Sequence, residues 1–325
     1  MYRVEQVLVP VDFSGFSRCA LAFARSLGET SPQIQLAHVI DAWAASTRQV
    51  LFPYAAMGED EIEFEHELLE EARAHLHRYF KIDKSLEKSF ISEPIVRMGP
   101  VNELLPELAR TVDSEMVVMG AFGEGGVHPD ALGATAERML RSVVQPLVLV
   151  RDFERKPSIK HIVVAVDLGP KSGDVLERAL GLALQTGATM ETIYVVPSPF
   201  VHDTHNILSQ ALKFNARQVL SRASDKIDAL FERMHQSLEV PHPVRPQAAK
   251  LLKSRRTLFG DPSAEIIRHA YENEADLVVV GAHNPQTKTT RTLGRVAWTV
   301  ARGCPTNVMV VPPTRARTPL GEEQE

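Results

Sequence analysis

The chain has 325 residues, of which 44% are hydrophobic and 24% charged, and its formal net charge is −5 at pH 7. This length suits two domains of roughly 150 residues better than one core, and the net charge gives no basic field that would favour nucleic acid or an anionic membrane as a partner. Two cysteines are too few for a disulfide framework, no apolar run approaches the roughly 20 residues that span a bilayer, and no signal peptide is recognisable, so we expect a cytoplasmic protein.

In the first half, short apolar runs rich in β-branched residues alternate with helical patterns. An Ala/Leu-rich pattern over 17–27 predicts the first helix. Leu69, Ala72, Leu76 and Phe80 recur at the three-and-four spacing of one face of a second, longer helix. The predicted strands are residues 7–11, 34–40, 89–96, 116–119 and 147–150.

The second half repeats this order. Residues 4–14 recur at 159–169, an offset of 155, and residues 114–121 recur at 275–282, an offset of 161. Helices are predicted over 175–186 and about 207–238. The predicted strands are 162–166, 189–196, 247–258, 277–280 and 308–311.

Strands that alternate with helices and read as continuous apolar runs are typical of parallel sheets covered on both faces. The sequence therefore predicts two tandem α/β domains, each a doubly wound, Rossmann-like sheet of five parallel strands. We place the domains at 1–152 and 157–312, with a short polar linker between them. Residues 313–325 form a mostly polar tail that we expect to be disordered.

A glycine motif follows the fourth strand of the first half. In such sheets, ligands bind beyond the carboxyl ends of the strands, where the strand order reverses. Gly120, Gly123 and Gly133 have the spacing G-x2-G-x9-G between that strand and the next helix. Glycines let the backbone approach an anion closely, and the N–H groups at a helix start suit a phosphate. Glycines after a strand can also simply form a turn, but the full spacing at this place favours a phosphate-binding loop.

This spacing resembles the ATP-binding signature of universal stress proteins, G-x2-G-x9-G-(S/T). Residues 9–14, 37–41 and 99–103 resemble other landmarks of that family, and the resemblance extends over essentially the whole chain, as a tandem two-domain member. It implies that the first domain binds ATP or AMP, with or without Mg²⁺, in a regulatory or stress-protective role. The residues that it implies for the nucleotide are Pro10, Val11, Asp12, Val39, Met119, Gly120, Gly123, Gly133, Ala134 and Thr135.

The resemblance also implies how the domains associate. They would form a pseudo-dimer within one chain through their last strands, and two chains would pair again as a homodimer. We predict neither nucleic acid nor a membrane as a partner.

Two departures from the signature affect the expected binding. Ala134 stands where the signature has Ser or Thr, so one phosphate-directed hydroxyl is missing unless the neighbouring Thr135 replaces it. Binding is expected to be weaker by about 1.5–3 kcal/mol. The second domain keeps the spacing, but Asn284 replaces its second glycine and Arg295 occupies the hydroxyl position. We expect a degenerate phosphate loop there, although Lys288, Arg291 and Arg295 could attract an anion.

No catalytic residues stand out. The first glycine loop holds no Lys or Arg before Arg138, so fast phosphoryl transfer is not expected and we predict a binding protein rather than an enzyme. Slow ATP hydrolysis is one alternative, and a non-nucleotide scaffold that holds a small ligand or a protein partner is another. His202 and His205 have metal-like spacing without a third clustered ligand, so no metal site is predicted. Cys19 and Cys304 are interpreted as core residues.

Overall fold

The computed structural model describes residues 2–28, 32–41, 59–80, 91–123, 131–142, 144–151, 158–169, 171–197, 225–226, 228–229, 232–233, 241–282 and 293–312. In the first half, strands and helices alternate in the predicted order. The elements are β1 Gln6–Pro10, α1 Gly15–Arg25, β2 Gln33–Ile40, α2 Glu59–Tyr79, β3 Ile95–Met98, α3 Val101–Thr111, β4 Met116–Gly120, α4 Ala134–Ser142 and β5 Leu147–Val150.

The second half has the same alternation, with a short 3-10 turn at His242–Val244 directly before the helix that precedes its third strand. The elements are β6 His161–Val166, α5 Ser172–Thr186, β7 Thr189–Pro197, α6 Arg245–Lys253, β8 Arg255–Gly260, α7 Pro262–Glu272, β9 Leu277–Gly281, α8 Arg295–Gly303 and β10 Asn307–Val311.

The ten strands form one continuous sheet in the order β3-β2-β1-β4-β5-β10-β9-β6-β7-β8. Pairing is parallel within each half. The halves meet where β10 pairs antiparallel with β5, with Met309 opposite Val148. The predicted fold class is confirmed, and the join through the last strands is the one that the resemblance implied. Because the join is antiparallel, the carboxyl ends of the two parallel sets face opposite edges of the sheet.

Both faces of the sheet are buried, as the unbroken apolar runs indicated. Val7 and Val9 of β1 pack on the face covered by α1, α2, α5 and α6, whereas Leu8 packs on the face covered by α3, α4, α7 and α8. This division follows from the alternation of side chains along a strand. Leu76 and Phe80 of α2 are buried in the first of these clusters, and Leu69 and Ala72 pack against it, so the predicted helix face is confirmed.

The third strands differ most from the prediction. In the second half, residues 247–253 of the predicted strand lie in α6, and the strand begins only at Arg255. Ala248 and Leu252 are buried four residues apart, which is the spacing of a helix face. In the first half, β3 begins at Ile95 because Pro94 lacks the N–H that a ladder needs, and Ile91 forms only an isolated bridge to β2.

Several sequence predictions fall largely or wholly outside the described residues. They are the second-half helix at 207–238, of which three short pieces are described as helical, the tail at 313–325 and the histidine pair at 202 and 205.

Cys304 is fully buried and Cys19 packs half-buried against the core, which confirms the interpretation of both cysteines as core residues. In the part of the chain that the structure describes, no helix combines the length and the apolar character that crossing a membrane requires.

Arg151, directly after β5, ties the two halves together. Its backbone N–H donates to Asn307 Oδ1 at 2.9 Å, and its Nη2 donates to the carbonyls of Ala301 and, at 2.8 Å, Arg302 at the end of α8. The guanidinium also lies 5.3 Å from the ring centre of Phe122 in the first half. Burial lowers the pKa of Arg151, but an arginine remains charged at ordinary pH. A cation at the carboxyl end of a helix is favoured by the helix dipole.

We expect Arg151→Met, which keeps an apolar stem and removes these donors, to lower the free energy of unfolding by about 1.5–3 kcal/mol. Urea denaturation followed by circular dichroism measures the change. The matched control is Arg110→Met, because Arg110 is an exposed arginine in the last turn of α3. A loss in Arg151→Met no larger than that in the control would show that the contact between the halves contributes nothing measurable.

Candidate functional site

A cavity of about 390 Å³ opens at the carboxyl ends of β1, β2 and β4 in the first half. This is the edge at which the order of strands reverses, between β1 and β4. All ten residues that the resemblance implied for the nucleotide line this one cavity. They are Pro10, Val11, Asp12, Val39, Met119, Gly120, Gly123, Gly133, Ala134 and Thr135.

Asp12 is held in a fixed position in the lining of this cavity. Its Oδ1 accepts hydrogen bonds from the Ser14 backbone N–H at 3.1 Å and from the Ser17 hydroxyl, and Ser17 Oγ accepts from the Asp12 N–H at 3.0 Å. His38 supports the same turn, since its Nδ1 lies 2.8 Å from the Val11 carbonyl oxygen. Burial lowers the pKa of His38, so the neutral ring donates from Nδ1 to this carbonyl. The second carboxylate oxygen of Asp12 is left facing the loop after β4.

The residue after Asp12 has an unusual backbone conformation. Phe13 has φ +62°, and Leu168 at the equivalent place in the second half has φ +59°. Such left-handed conformations of non-glycine residues persist only where the surroundings hold them. The Phe13 ring stacks on His75 at 4.5 Å and contacts His38 at 4.7 Å, and Tyr79 Oη donates to the Phe13 carbonyl. α2 and β2 therefore hold the turn that aims Asp12 into the cavity.

Two of the three loop glycines, Gly120 and Gly123, are needed for space. A Cβ at Gly123 would lie 2.8 Å from Asp12 Oδ2, and a Cβ at Gly120 would lie 3.0 Å from the Phe122 carbonyl oxygen. Gly133 is part of the wall, but its N–H donates to the Ala121 carbonyl at 2.8 Å, so this N–H is not the free donor expected at the start of the helix. The N–H groups available to a ligand therefore start one residue later, at Ala134. The N–H groups in the first turn of a helix have no acceptor within the helix.

Sequence reasoning missed six lining residues. Val101 and Leu105 are one helical turn apart at the start of α3 and add apolar wall beside Val39 and Met119. The helical spacing of Val101 and Leu105 directly after Gly99-Pro100 was the signal that could have identified them. Of the others, Ala121 and Phe122 are the two residues between Gly120 and Gly123 in the motif, and nothing in the sequence marked the remaining two. Those two are Ser17 and Ala136.

The electrostatics of the cavity are simple. Among the described residues that line it, Asp12 is the one charged side chain, and the polar remainder is hydroxyls and backbone. The cavity can therefore offer an apolar wall, one carboxylate acceptor and the amino end of a helix. In the described part of the chain, no group of three or more His, Cys, Asp or Glu side chains is placed to hold a metal.

The second half has a cavity of about 510 Å³ at the equivalent place, beyond β6, β7 and β9. Asp167 is held as Asp12 is, with its Oδ1 accepting from the Gly169 N–H and the Ser172 hydroxyl, both at 2.8 Å. Gly294 and Arg295 line it at the start of α8. Residues 283–292, which include most of the loop predicted to be degenerate, lie outside the described residues.

Comparisons with known proteins agree with this architecture. The sequence model of the universal stress protein family matches residues 3–151 and again residues 158–312. Universal stress protein A homolog 1 of Coxiella burnetii is 30% identical over 125 residues, which are 38% of this chain and 76% of that protein. Universal stress protein G of Salmonella typhimurium is 29% identical over 156 residues, which are 46% of this chain and 100% of that protein.

A solved structure covers both halves. The crystal structure of a universal stress protein from Archaeoglobus fulgidus has a TM-score of 0.60 at 17% identity and covers 96% of this chain and 100% of that one. At this identity the likeness concerns the fold alone. Since the family model matches the two halves in turn and so covers most of the sequence, the chain belongs to the universal stress protein family, as a tandem two-domain member.

Proposed function

We propose that the first half binds an adenine nucleotide, ATP or AMP with or without Mg²⁺, and that the protein uses this binding in a regulatory or stress-protective role. The observation that carries the proposal is the convergence of the ten implied residues on one cavity of about 390 Å³. That volume lies within the range of roughly 300–1,000 Å³ typical of small-molecule sites.

Each part of the cavity suits one part of a nucleotide. Val39 and Met119, with the start of α3, offer an apolar wall to a base. The outward oxygen of Asp12 can accept a hydrogen bond from a ribose hydroxyl. Gly123 and the amino end of α4 leave room for phosphates near backbone N–H groups.

We propose binding rather than turnover. In the described lining of the cavity, no Lys or Arg is placed to offset the charge that develops on a transferred phosphoryl group. Isothermal titration of the full chain with ATP and with AMP tests the proposal, with a dissociation constant below about 1 mM expected for at least one of them. No binding at millimolar nucleotide would overturn it. Phosphate release that is lost in Asp12→Ala would instead indicate an enzyme.

Restoring the missing hydroxyl should tighten binding. We expect Ala134→Thr to lower the dissociation constant for ATP about ten- to hundredfold, because a hydrogen bond to a charged phosphate is worth about 1.5–3 kcal/mol. The control is Ala134→Val, which has nearly the same shape without the hydroxyl and should not tighten binding. Equal affinities of the two variants would mean that no phosphate lies at the start of α4.

The pairing of two chains as a homodimer stays a prediction of the resemblance. The join of β5 to β10 already pairs the two last strands within one chain. A second pairing would therefore use another surface, and light scattering of the purified protein would detect it.

A further inference from the structure

The cavity of the second half differs in chemistry from the cavity of the first. We infer that it is a separate ligand site, and that it takes a small organic anion with an apolar body, such as an aromatic carboxylate. This goes beyond the nucleotide binding proposed for the first half, and it does not depend on that proposal.

The inner wall of this cavity is apolar and rigid. Ile193 and Val195 of β7, Ile266 of α7 and Val280 of β9 line it. None of these four is more than 6% exposed, and all belong to the core cluster on that face of the sheet. Side chains fixed by core packing present a preformed surface, so an apolar body can enter without reorganising the wall.

Two cations flank the same cavity. Lys171 precedes the first residue of α5 and Arg295 is the first residue of α8, and both line the cavity. These helices cover opposite faces of the sheet, so positive charge approaches from both sides. The equivalent positions in the first half are Phe16 and Ala134, at offsets of 155 and 161.

The two carboxylates near these cations do not compete strongly with an incoming anion. One is hydrogen-bonded within its own turn, and the other forms only an exposed ion pair. Asp167 Oδ1 accepts two hydrogen bonds from its own turn, from the Gly169 N–H and the Ser172 hydroxyl. Lys171 Nζ lies 3.8 Å from Asp174 Oδ2, and both side chains are more than a third exposed. An exposed pair of this kind contributes little, so an incoming anion does not have to break a strong contact. The described lining thus carries two positive groups against one negative group, whereas Asp12 alone gives the first cavity a negative lining.

A single acidic group fits this site better than a chain of phosphates. A polyphosphate needs open backbone, and the sequence here has Asn284 and Pro285 where the first half has Gly123 and Glu124. A side chain at 284 replaces the open glycine, and Pro285 has no N–H to donate. A carboxylate, in contrast, is bound well by one guanidinium in a two-point contact, which Arg295 can supply.

The probe that tests the inference is naphthalene-1-carboxylate, titrated calorimetrically into the full chain in the presence of saturating ATP. We expect one site with a dissociation constant between about 10 µM and 1 mM. Naphthalene-1-methanol, with the same body and no charge, should bind at least about tenfold more weakly, and acetate should give no binding signal. Equal binding of the acid and the alcohol, or no binding of the acid at millimolar concentration, would overturn the inference.

Variants locate the site. Lys171→Gln combined with Arg295→Gln should weaken the naphthalene acid at least tenfold. Arg110→Gln combined with Lys253→Gln removes the same charge from exposed positions outside the cavity and should leave its affinity unchanged. The comparison of acid with alcohol uses the unaltered protein, so the test survives if a variant fails to fold.

Nucleotide competition separates this site from the first cavity. Gly123→Val should retain the naphthalene acid at full affinity whether or not nucleotide binding is observed. Loss of the acid in Gly123→Val would assign it to the first cavity, and displacement by ATP that persists in Gly123→Val would show that the second cavity takes the nucleotide. Either result would overturn the inference.

Discussion

Replacing Gly123 with valine is expected to raise the dissociation constant for ATP at least about a hundredfold while leaving the fold intact, a loss of roughly 2.7 kcal/mol or more. The cause is local. A Cβ at this position would lie 2.8 Å from Asp12 Oδ2, so the carboxylate must rotate away from the cavity. The two branches of valine would also occupy the space that a phosphate needs beside the loop.

The measurement is calorimetric titration with ATP, accompanied by circular dichroism and thermal unfolding. Gly173→Ala is the control, because a Cβ at Gly173, in the first turn of α5, would meet no atom within 4 Å. That variant should bind ATP as the unaltered chain does. Gly123→Ala should fall between the two, since it has the Cβ contact without the branches.

A double variant distinguishes the two causes. If valine acts partly by displacing the carboxylate, its effect and that of Asp12→Ala share one interaction and should be clearly less than additive. Fully additive losses would mean that Asp12 and the loop act independently. Unaltered ATP affinity in Gly123→Val would mean that the nucleotide does not bind at this loop.

Most strands could be predicted from local pattern alone. Runs such as Leu147–Val150 and His161–Val166 consist almost wholly of apolar residues because their strands are buried on both faces, and their bounds were predicted to within a residue. The bounds predicted for the third strands were wrong for a physical reason. β8 lies at the edge of the sheet and is mostly exposed, so it has no continuous apolar run, and α6 just before it supplied the apolar residues instead.

The join between the halves could not be read from periodicity. Leu149 of β5 and Val308 of β10 are buried, as an apolar run predicts. An apolar run does not indicate which strand lies beside it, and nothing in either run specifies an antiparallel neighbour. The family resemblance supplied that expectation. Arg151 is also unremarkable in sequence, because its partners are backbone carbonyls about 150 residues away.

For the candidate site, the loop could be predicted from the sequence, whereas the cavity beside it is visible only in the structure. Gly120, Gly123 and Gly133 were identified by their spacing, but that spacing says nothing about the Phe13 turn that aims Asp12. In the second half, the altered loop predicted a degenerate phosphate site, and this stays a prediction. The cavity of about 510 Å³ at the equivalent place could not be predicted from that loop. Its lining includes Ile193, Ile266 and Val280, which come from three separate elements and which no local motif connects.

A second large effect, on stability, is expected at Gly181, in the middle of α5, where the start of the chain crosses the second half. A Cβ at Gly181 would collide with the carbonyl oxygen of Tyr2 and lie 3.0 Å from the carbonyl carbon. The crossing segment is firmly held. The Gln185 amide makes two hydrogen bonds to the Val4 backbone, both 2.9 Å, and Arg178 lies 4.8 Å from the Tyr2 ring centre.

Tyr2 adds a bond back to the first half. Its hydroxyl donates to the Glu115 carbonyl at 3.2 Å, and burial raises the pKa of Tyr2 to about 12, so the donor is retained over the whole working range of pH. The segment cannot move away from α5 without losing this bond and the Gln185 bonds. A methyl group at 181 therefore meets backbone that is fixed from both sides.

We expect Gly181→Ala to lower the free energy of unfolding by about 1–3 kcal/mol, the usual cost of overpacking. This would occur although alanine favours a helix interior by about 1 kcal/mol over glycine. The two contributions can be separated by deleting residues 2 and 3, which removes the colliding carbonyl and keeps Val4. In that shortened chain the same substitution should become stabilising by about 0.5–1 kcal/mol, because only the helix preference remains. Denaturant unfolding of the four proteins measures both values, and a substitution that stabilises the full-length chain would show that Tyr2 does not pack against α5.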